Sequence, residues 1–177
     1  MYFLCLTDNN SRVFTDGKKV NIGVISDTHL SGYDAGLKRI VQEYFESVDL
    51  ILHAGDLVDL RVLDVFQGKP VRAVCGNMDS PQVKQELPEH LVMDIGRFKI
   101  ALTHGWGAPD GLEKKLANQF GNVDCIVYGH THHPMNRKIG DILFFNPGSA
   151  VDKRSAPHCS VGLIEVEMEI TGRIIKI

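Results

Sequence analysis

The sequence predicts an α/β protein, and three observations carry that prediction. Apolar runs of 5–7 residues recur along the chain, each followed at once by turn-forming or polar residues. Helical patterns fill several of the gaps between them. The last two apolar segments alternate in the manner of an antiparallel hairpin. Strands that alternate with helices imply crossover units of fixed hand. The β-rich tail adds a second sheet or a sheet edge, so a two-sheet sandwich flanked by helices is expected.

The strands are read in order from the apolar runs. VNIGVIS (20–26), DLILHA (49–54), PVRAVC (70–75), FKIALT (98–103), VDCIVY (123–128) and DILFF (141–145) are rich in Val, Ile, Leu or Phe. Continuous apolar character of this length marks strands covered on both faces. CSVGLIEVEME (159–169) and RIIKI (173–177) form the closing hairpin, with a turn expected at Thr171-Gly172. A helix is expected over Ala35 to Val48, where Leu37, Ile40, Val41, Tyr44 and Phe45 recur at helical spacing. Leu60 to Phe66 is a shorter helix, and Gly111 to Phe120 places Leu112, Leu116 and Phe120 four apart. The N-terminal stretch, residues 1–19, fits least well. It reads as an extension, or as a hairpin of Tyr2–Leu6 and Arg12–Phe14 turning at Asn9-Asn10. With 177 residues and no linker, repeat or low-complexity tract, one domain spans 1–177.

Composition removes several function classes. The formal charge is −3, which argues against a general basic field for nucleic acid, so no stable nucleic-acid partner is expected. No apolar run approaches the ~18–20 residues that span a bilayer. The opening MYFLCL lacks a basic flank, so a secretory signal is not expected. Cys5, Cys75, Cys125 and Cys159 show no CxxC spacing and read as free thiols of a cytoplasmic protein.

The chemistry lies where the polar residues fall. Asp27, His29, Asp56, Asn77, His104, His130 and His132 each sit at, or just past, the C-terminal end of a predicted strand. In open α/β sheets that is where ligand crevices form. Five strands thus deliver two Asp, one Asn and four His toward one place. These are oxygen and imidazole donors suited to Mn²⁺, Fe, Zn²⁺ or Ni²⁺. Seven exceed what one catalytic zinc with an open position takes, and suffice for two ions that share a carboxylate. Two such ions, about 3.5–4 Å apart, clamp a phosphoryl group and activate a bridging water. Gly55, Gly76 and Gly129 each precede one of these residues, where a tight turn needs a permissive backbone.

The ordered set Asp27-Thr28-His29, Gly55-Asp56, Gly76-Asn77-Met78-Asp79, His104-Gly105 and Gly129-His130-Thr131-His132 resembles the calcineurin-like metallophosphoesterases. Within that family it is most similar to the small single-domain YfcE-like phosphodiesterases, which also share the Asn146-Pro147-Gly148-Ser149 segment. The resemblance covers Val20 to the C-terminus. It implies the two-sheet sandwich fold and two divalent ions, Mn²⁺ first among them. Asp27, His29 and His132 would bind the first ion, Asp56 would bridge, and Asn77, His104 and His130 would bind the second. Asp56, Asn77 and His104 are also the implied catalytic residues. The expected activity is hydrolysis of a small phosphodiester by a hydroxide that bridges the ions. The alternatives are a phosphomonoesterase or nucleotidase of the same fold, and a protein-binding scaffold like the retromer subunit that shares it. A monomer and a homodimer both fit.

One position departs from the family. Many larger relatives carry His after the Asn, and that His assists the leaving group. Here it is Met78, so either substrates with good leaving groups are preferred or acid help comes from elsewhere, with His133 and His53 as candidates for the latter. Asp79 reads as a supporting residue, Trp106 as a loop or substrate-stacking residue, and Asn146, Gly148 and Ser149 as loop-shaping residues. Asp59 and Asp64 read as solvated, as do His90 and His158. The Lys153-Arg154 pair can reach a phosphate, although exposed basic residues are ordinarily only solvated.

Overall fold

The apolar runs become strands in the computed structural model, which describes residues 18–177. The first sheet holds β1 (Val20–Ile25), β2 (Leu50–His53), β3 (Val71–Ala73), β9 (Ser160–Val166) and β10 (Ile170–Lys176), in the order β10-β9-β1-β2-β3. The second holds β4 (His90–Ile95), β5 (Phe98–Thr103), β6 (Cys125–Val127), β7 (Met135–Ile139) and β8 (Ile142–Asn146), in the order β4-β5-β6-β8-β7. β1, β2 and β3 run parallel, as do β5, β6 and β8, while β4, β7 and β10 are antiparallel edge strands and β9 pairs antiparallel with both β1 and β10. Both sheets are therefore mixed, and the expected sandwich is observed.

Side-chain alternation explains the layers. On β1, Ile22 and Val24 meet Ile100, Leu102, Val127 and Phe145 of the other sheet in a core between the sheets. Ile25, on the opposite face, packs with Phe45, Leu37 and Val41. Gly23 sits under the Phe45 ring, where a Cβ would come within 2.9 Å of it. A third cluster places Leu112, Leu116 and Phe120 against Ile126, Tyr128 and Phe144. The result is helix, sheet, sheet, helix.

The helices are α1 (Ala35–Tyr44), α2 (Pro81–Glu86) and α3 (Leu112–Phe120). The Asp34 carboxylate caps α1 by accepting from Leu37 N at 2.7 Å. That helix ends at Tyr44 and not at Val48, and Phe45 and Val48 are buried from the loop that follows. Leu60–Phe66 is a 3₁₀ segment and not an α-helix. Its cap is Asp59, held by Arg61, so Asp59 is not merely solvated. The closing hairpin turns at 167–169, with Thr171 and Gly172 paired inside β10, which corrects the turn expected at those two residues. α2, β4 and β7 were not expected. The hairpin proposed within residues 1–19 lies outside the described residues, apart from Lys18 and Lys19.

Candidate metal centre

The seven predicted residues converge at the C-terminal ends of β1, β2, β5 and β6 and the turn after β3. Backbone bonds lock the first two turns together, Asp27 N to Gly55 O and His29 N to Asp56 O, each 3.0 Å. Asp27, His29, Asp56, His130 and His132 all hold positive φ, between 48° and 68°. Non-glycine residues rarely adopt that region, and such strain persists where surrounding structure enforces it.

Two groups of donor atoms result. In the first, His132 Nε2 lies 3.3 Å from Asp27 Oδ1 and 3.1 Å from His29 Nε2, with the two rings stacked. In the second, His104 Nε2 lies 3.3 Å from Asp56 Oδ2 and 3.1 Å from Asn77 Oδ1, and His130 Nδ1 lies 3.0 Å from the same Asn77 oxygen. Asp56 Oδ2 is also 3.7 Å from His29 Nε2, so it stands between the groups. Asp27, His29 and His132 can share one ion, and Asp27, Asp56 and His104 can share another.

The proton positions on the imidazoles test this fit. A carbonyl can only accept, so His104 Nδ1 donates to Ala54 O at 2.8 Å, His130 Nε2 donates to Gly107 O at 2.8 Å, and His132 Nδ1 donates to Asp152 O. Each ring then turns its other nitrogen toward the centre, where a neutral imidazole of that tautomer offers a lone pair. There it meets carboxylate or amide oxygens that are acceptors too. Asp27 Oδ1 is buried with no hydrogen-bond partner. Facing lone pairs and an orphaned carboxylate oxygen are repulsive unless a cation or a proton lies between them. The residues fit divalent ions on that ground.

Electrostatics without a metal say the same. Burial opposes a charge on His104, but the hydrogen bond and charge of Asp56, together with Asp27, hold its pKa above the ordinary value. Burial likewise pushes Asp56 up, yet His104 and the Met78 N–H hold it below the usual carboxylate range. Burial lowers His29 despite Asp56 and Asp27 nearby.

The supporting residues behave largely as read. Asp79 is buried and accepts from Asp56 N (3.1 Å), Gly76 N (2.6 Å) and Val58 N. Asn146 Nδ2 donates to Gly129 O at 2.7 Å, and Ser149 Oγ donates to Asp27 O at 2.7 Å. The glycine reading needs one correction. Gly55 does have positive φ, but Gly76 and Gly129 do not. They are required by crowding, since a Cβ would lie 2.2 Å from Asp56 Oδ1 at Gly76 and 1.9 Å from Ser26 Oγ at Gly129.

His53 is fully buried against Thr28 and Phe66, which removes it as an acid for the leaving group. His133 is exposed and bonded to Ser155 Oγ at 3.0 Å. Met78 donates its backbone N–H to Asp56 Oδ1 at 2.7 Å and is 56% exposed. His90 is exposed as expected, whereas His158 is half-buried. Beside the second group lies a cleft of about 400 Å³ lined by Asn77, His104, Trp106, His90 and Gln119. The carbonyls of Ala54, Gly107 and Asp152, which orient three imidazoles, carry no side-chain signal and were not read from sequence.

Comparison with known proteins places this geometry. A family model described as the calcineurin-like phosphoesterase superfamily domain matches residues 20–169. A probable metallophosphoesterase of Methanocaldococcus jannaschii is 37% identical over 168 residues, covering 93% of this chain and 85% of the relative. A phosphodiesterase of the same organism is 28% identical over 143 residues, covering 73% and 83%. Among solved structures, a predicted phosphoesterase from Streptococcus pneumoniae superposes with a TM-score of 0.72 at 29% identity, covering 90% of both chains. Vps29 from Entamoeba histolytica, complexed with Zn²⁺, gives 0.65 at 25% identity, covering 88% of this chain and 98% of that one.

Proposed function

The chain belongs to the calcineurin-like phosphoesterase superfamily, and we propose that it is a phosphodiesterase that works with two divalent ions. The observation that carries this reading is the position of Asp56 Oδ2, 3.3 Å from His104 Nε2 and 3.7 Å from His29 Nε2, between two sets of converging lone pairs. Asp27, His29 and His132 would hold one ion. Asn77, His104 and His130 would hold the other, with Asp56 shared. The ions, when bound, supply Lewis acidity at phosphorus and a nucleophilic water at neutral pH. Mn²⁺ is the ion of choice in this reading, with Fe, Zn²⁺ and Ni²⁺ accepted by the same donors.

The protein's own residues supply position. The carbonyls of Ala54, Gly107 and Asp152 fix three imidazole tautomers before any ligand arrives. Asp79 holds the turns that carry Asp56 and Asn77. The cleft beside Asn77 and His104, with Trp106 45% exposed in its wall, gives room for an ester group beyond the one attacked. That favours a diester over a monoester. Among the described residues at the centre, none takes the place of the His that many larger relatives carry where this chain has Met78, so good leaving groups are preferred. The intact donor set favours an enzyme over a scaffold. A cytoplasmic setting is part of this reading, and the described cysteines Cys75, Cys125 and Cys159 are free thiols.

The test is hydrolysis of bis(4-nitrophenyl) phosphate by the full chain, with and without Mn²⁺. Activity is expected only with the metal, and Asp56→Asn should lower it by about 100-fold or more. Activity indifferent to both metal and substitution would refute the reading.

A further inference from the structure

Arg154 stands at the open side of the first donor group, and nothing in the donor set accounts for it. Its Nη2 lies 3.4 Å from His29 Nε2. A guanidinium carries only donors, so this nitrogen faces the same lone pair that His29 offers to an ion. Its backbone is strained as well, with φ +46°. Among the described non-glycine residues, positive φ is otherwise confined to Asp27, His29, Asp56, His130, His132 and Val58. Five of those six belong to the centre, and Arg154 shares their strain.

The loop that carries Arg154 is tied to the centre at every step. Asp27 O accepts from Ser149 Oγ, and Ser149 Oγ accepts from Asp152 N at 2.9 Å. The Asp152 carbonyl accepts from His132 Nδ1. The Asp152 carboxylate then accepts from Arg154 N at 3.3 Å and Arg154 Nε at 3.4 Å. A second Asp/Arg pair two residues apart shows what a purely structural pair looks like. Arg61 is bound to Asp59 through both Nε and Nη2, at 3.0 and 2.8 Å, and its Nη2 is completed by Ser31 O. The Arg154 side chain, in contrast, gives Asp152 one long contact through Nε and turns its Nη2 toward His29.

We propose that Arg154 is a substrate-binding residue that grips a non-bridging phosphoryl oxygen of the ester at the His29 side of the centre. Once His29 Nε2 is engaged as a ligand, the Nη2 hydrogen needs another acceptor. The phosphoryl oxygen is the acceptor that the substrate brings, and the planar guanidinium is suited to it. The inference rests on the phosphoesterase reading above, and its test separates the two.

The experiment is calorimetric titration of inorganic phosphate into the Mn²⁺-loaded full chain, for wild type, Arg154→Ala, Arg154→Lys and Lys153→Ala. Loss of one charge-assisted hydrogen bond should weaken phosphate binding about 10- to 100-fold in Arg154→Ala. Arg154→Lys should recover part of it, and Lys153→Ala should match wild type. Mn²⁺ should bind Arg154→Ala at least as tightly as wild type, because the competing donor to His29 is gone. Phosphate affinity unchanged in Arg154→Ala would overturn the proposal. So would a parallel loss of Mn²⁺ and phosphate binding, which marks a residue that only props the loop. If the wild type lacks Mn²⁺-dependent hydrolysis, the phosphoesterase reading fails by itself, and the phosphate titration still judges Arg154.

Discussion

Three backbone N–H groups from two different turns end on one carboxylate, that of Asp79. Burial pushes the Asp79 pKa up, and the N–H groups of Gly76 and Val58 oppose that push. Removing the acceptor strands buried donors, at about 1–3 kcal/mol each. Asp79→Ala should therefore cost about 3 kcal/mol or more in urea denaturation. It should also weaken Mn²⁺ binding, since the turns of Asp56 and Asn77 lose their common anchor. A variant with wild-type stability would show that these bonds are dispensable. At this scale the sequence is informative about side chains and silent about carbonyls. Asp27, Asp56 and the four histidines could be found because each follows an apolar run. The carbonyls of Ala54, Gly107 and Asp152 could not, because any residue type supplies one and only the tertiary fold says where it points.

The strand ends make the centre, and β2 shows how deeply an element is committed to it. Its last residue, His53, is fully buried, donates to or accepts from Thr28 Oγ1 at 3.2 Å, and leaves Nδ1 without a partner. Burial lowers its pKa from 6.5 to about 3, with His104 adding to the shift and Asp56 opposing it. The unfolded chain then binds a proton that the folded chain refuses. His53 therefore leaves stability intact above about pH 6.5 and drains it as the pH falls from there toward about 3. Stability of wild type relative to His53→Gln, from urea midpoints at pH 7 and pH 4.5, should fall on acidification. A difference that stays constant would mean His53 is not held neutral by burial. Elements were legible where burial wrote them. β1, β2, β5 and β6 are apolar on both faces, whereas β7 (Met135–Ile139) is an edge strand whose last four side chains are exposed. With Asn136 to Ile139 exposed, MNRKI has no hydrophobic period to read. α2 is six residues long, too short for periodicity despite the Ser80 cap and Pro81 start.

Over the whole molecule, two mixed sheets place parallel strand ends from both at one rim, and the donor set is assembled across the sandwich from turns far apart in sequence. The chain is net acidic at −3, yet the proposed reaction requires it to hold an anion. Two divalent ions would outweigh Asp27 and Asp56, and Arg154 adds a further positive charge at the edge. A bound ion is often the largest local charge in a site. Phosphate recognition can thus be confined to one small cationic pocket without a basic surface. Everything in this account depends on Asp56 joining two ions and not merely lying near one. Electron paramagnetic resonance of the protein titrated with Mn²⁺ tests that directly. Two ions per chain are expected, with an exchange-coupled spectrum that collapses to isolated Mn²⁺ in Asp56→Asn. A single isolated ion in wild type, with no second binding event, would contradict it.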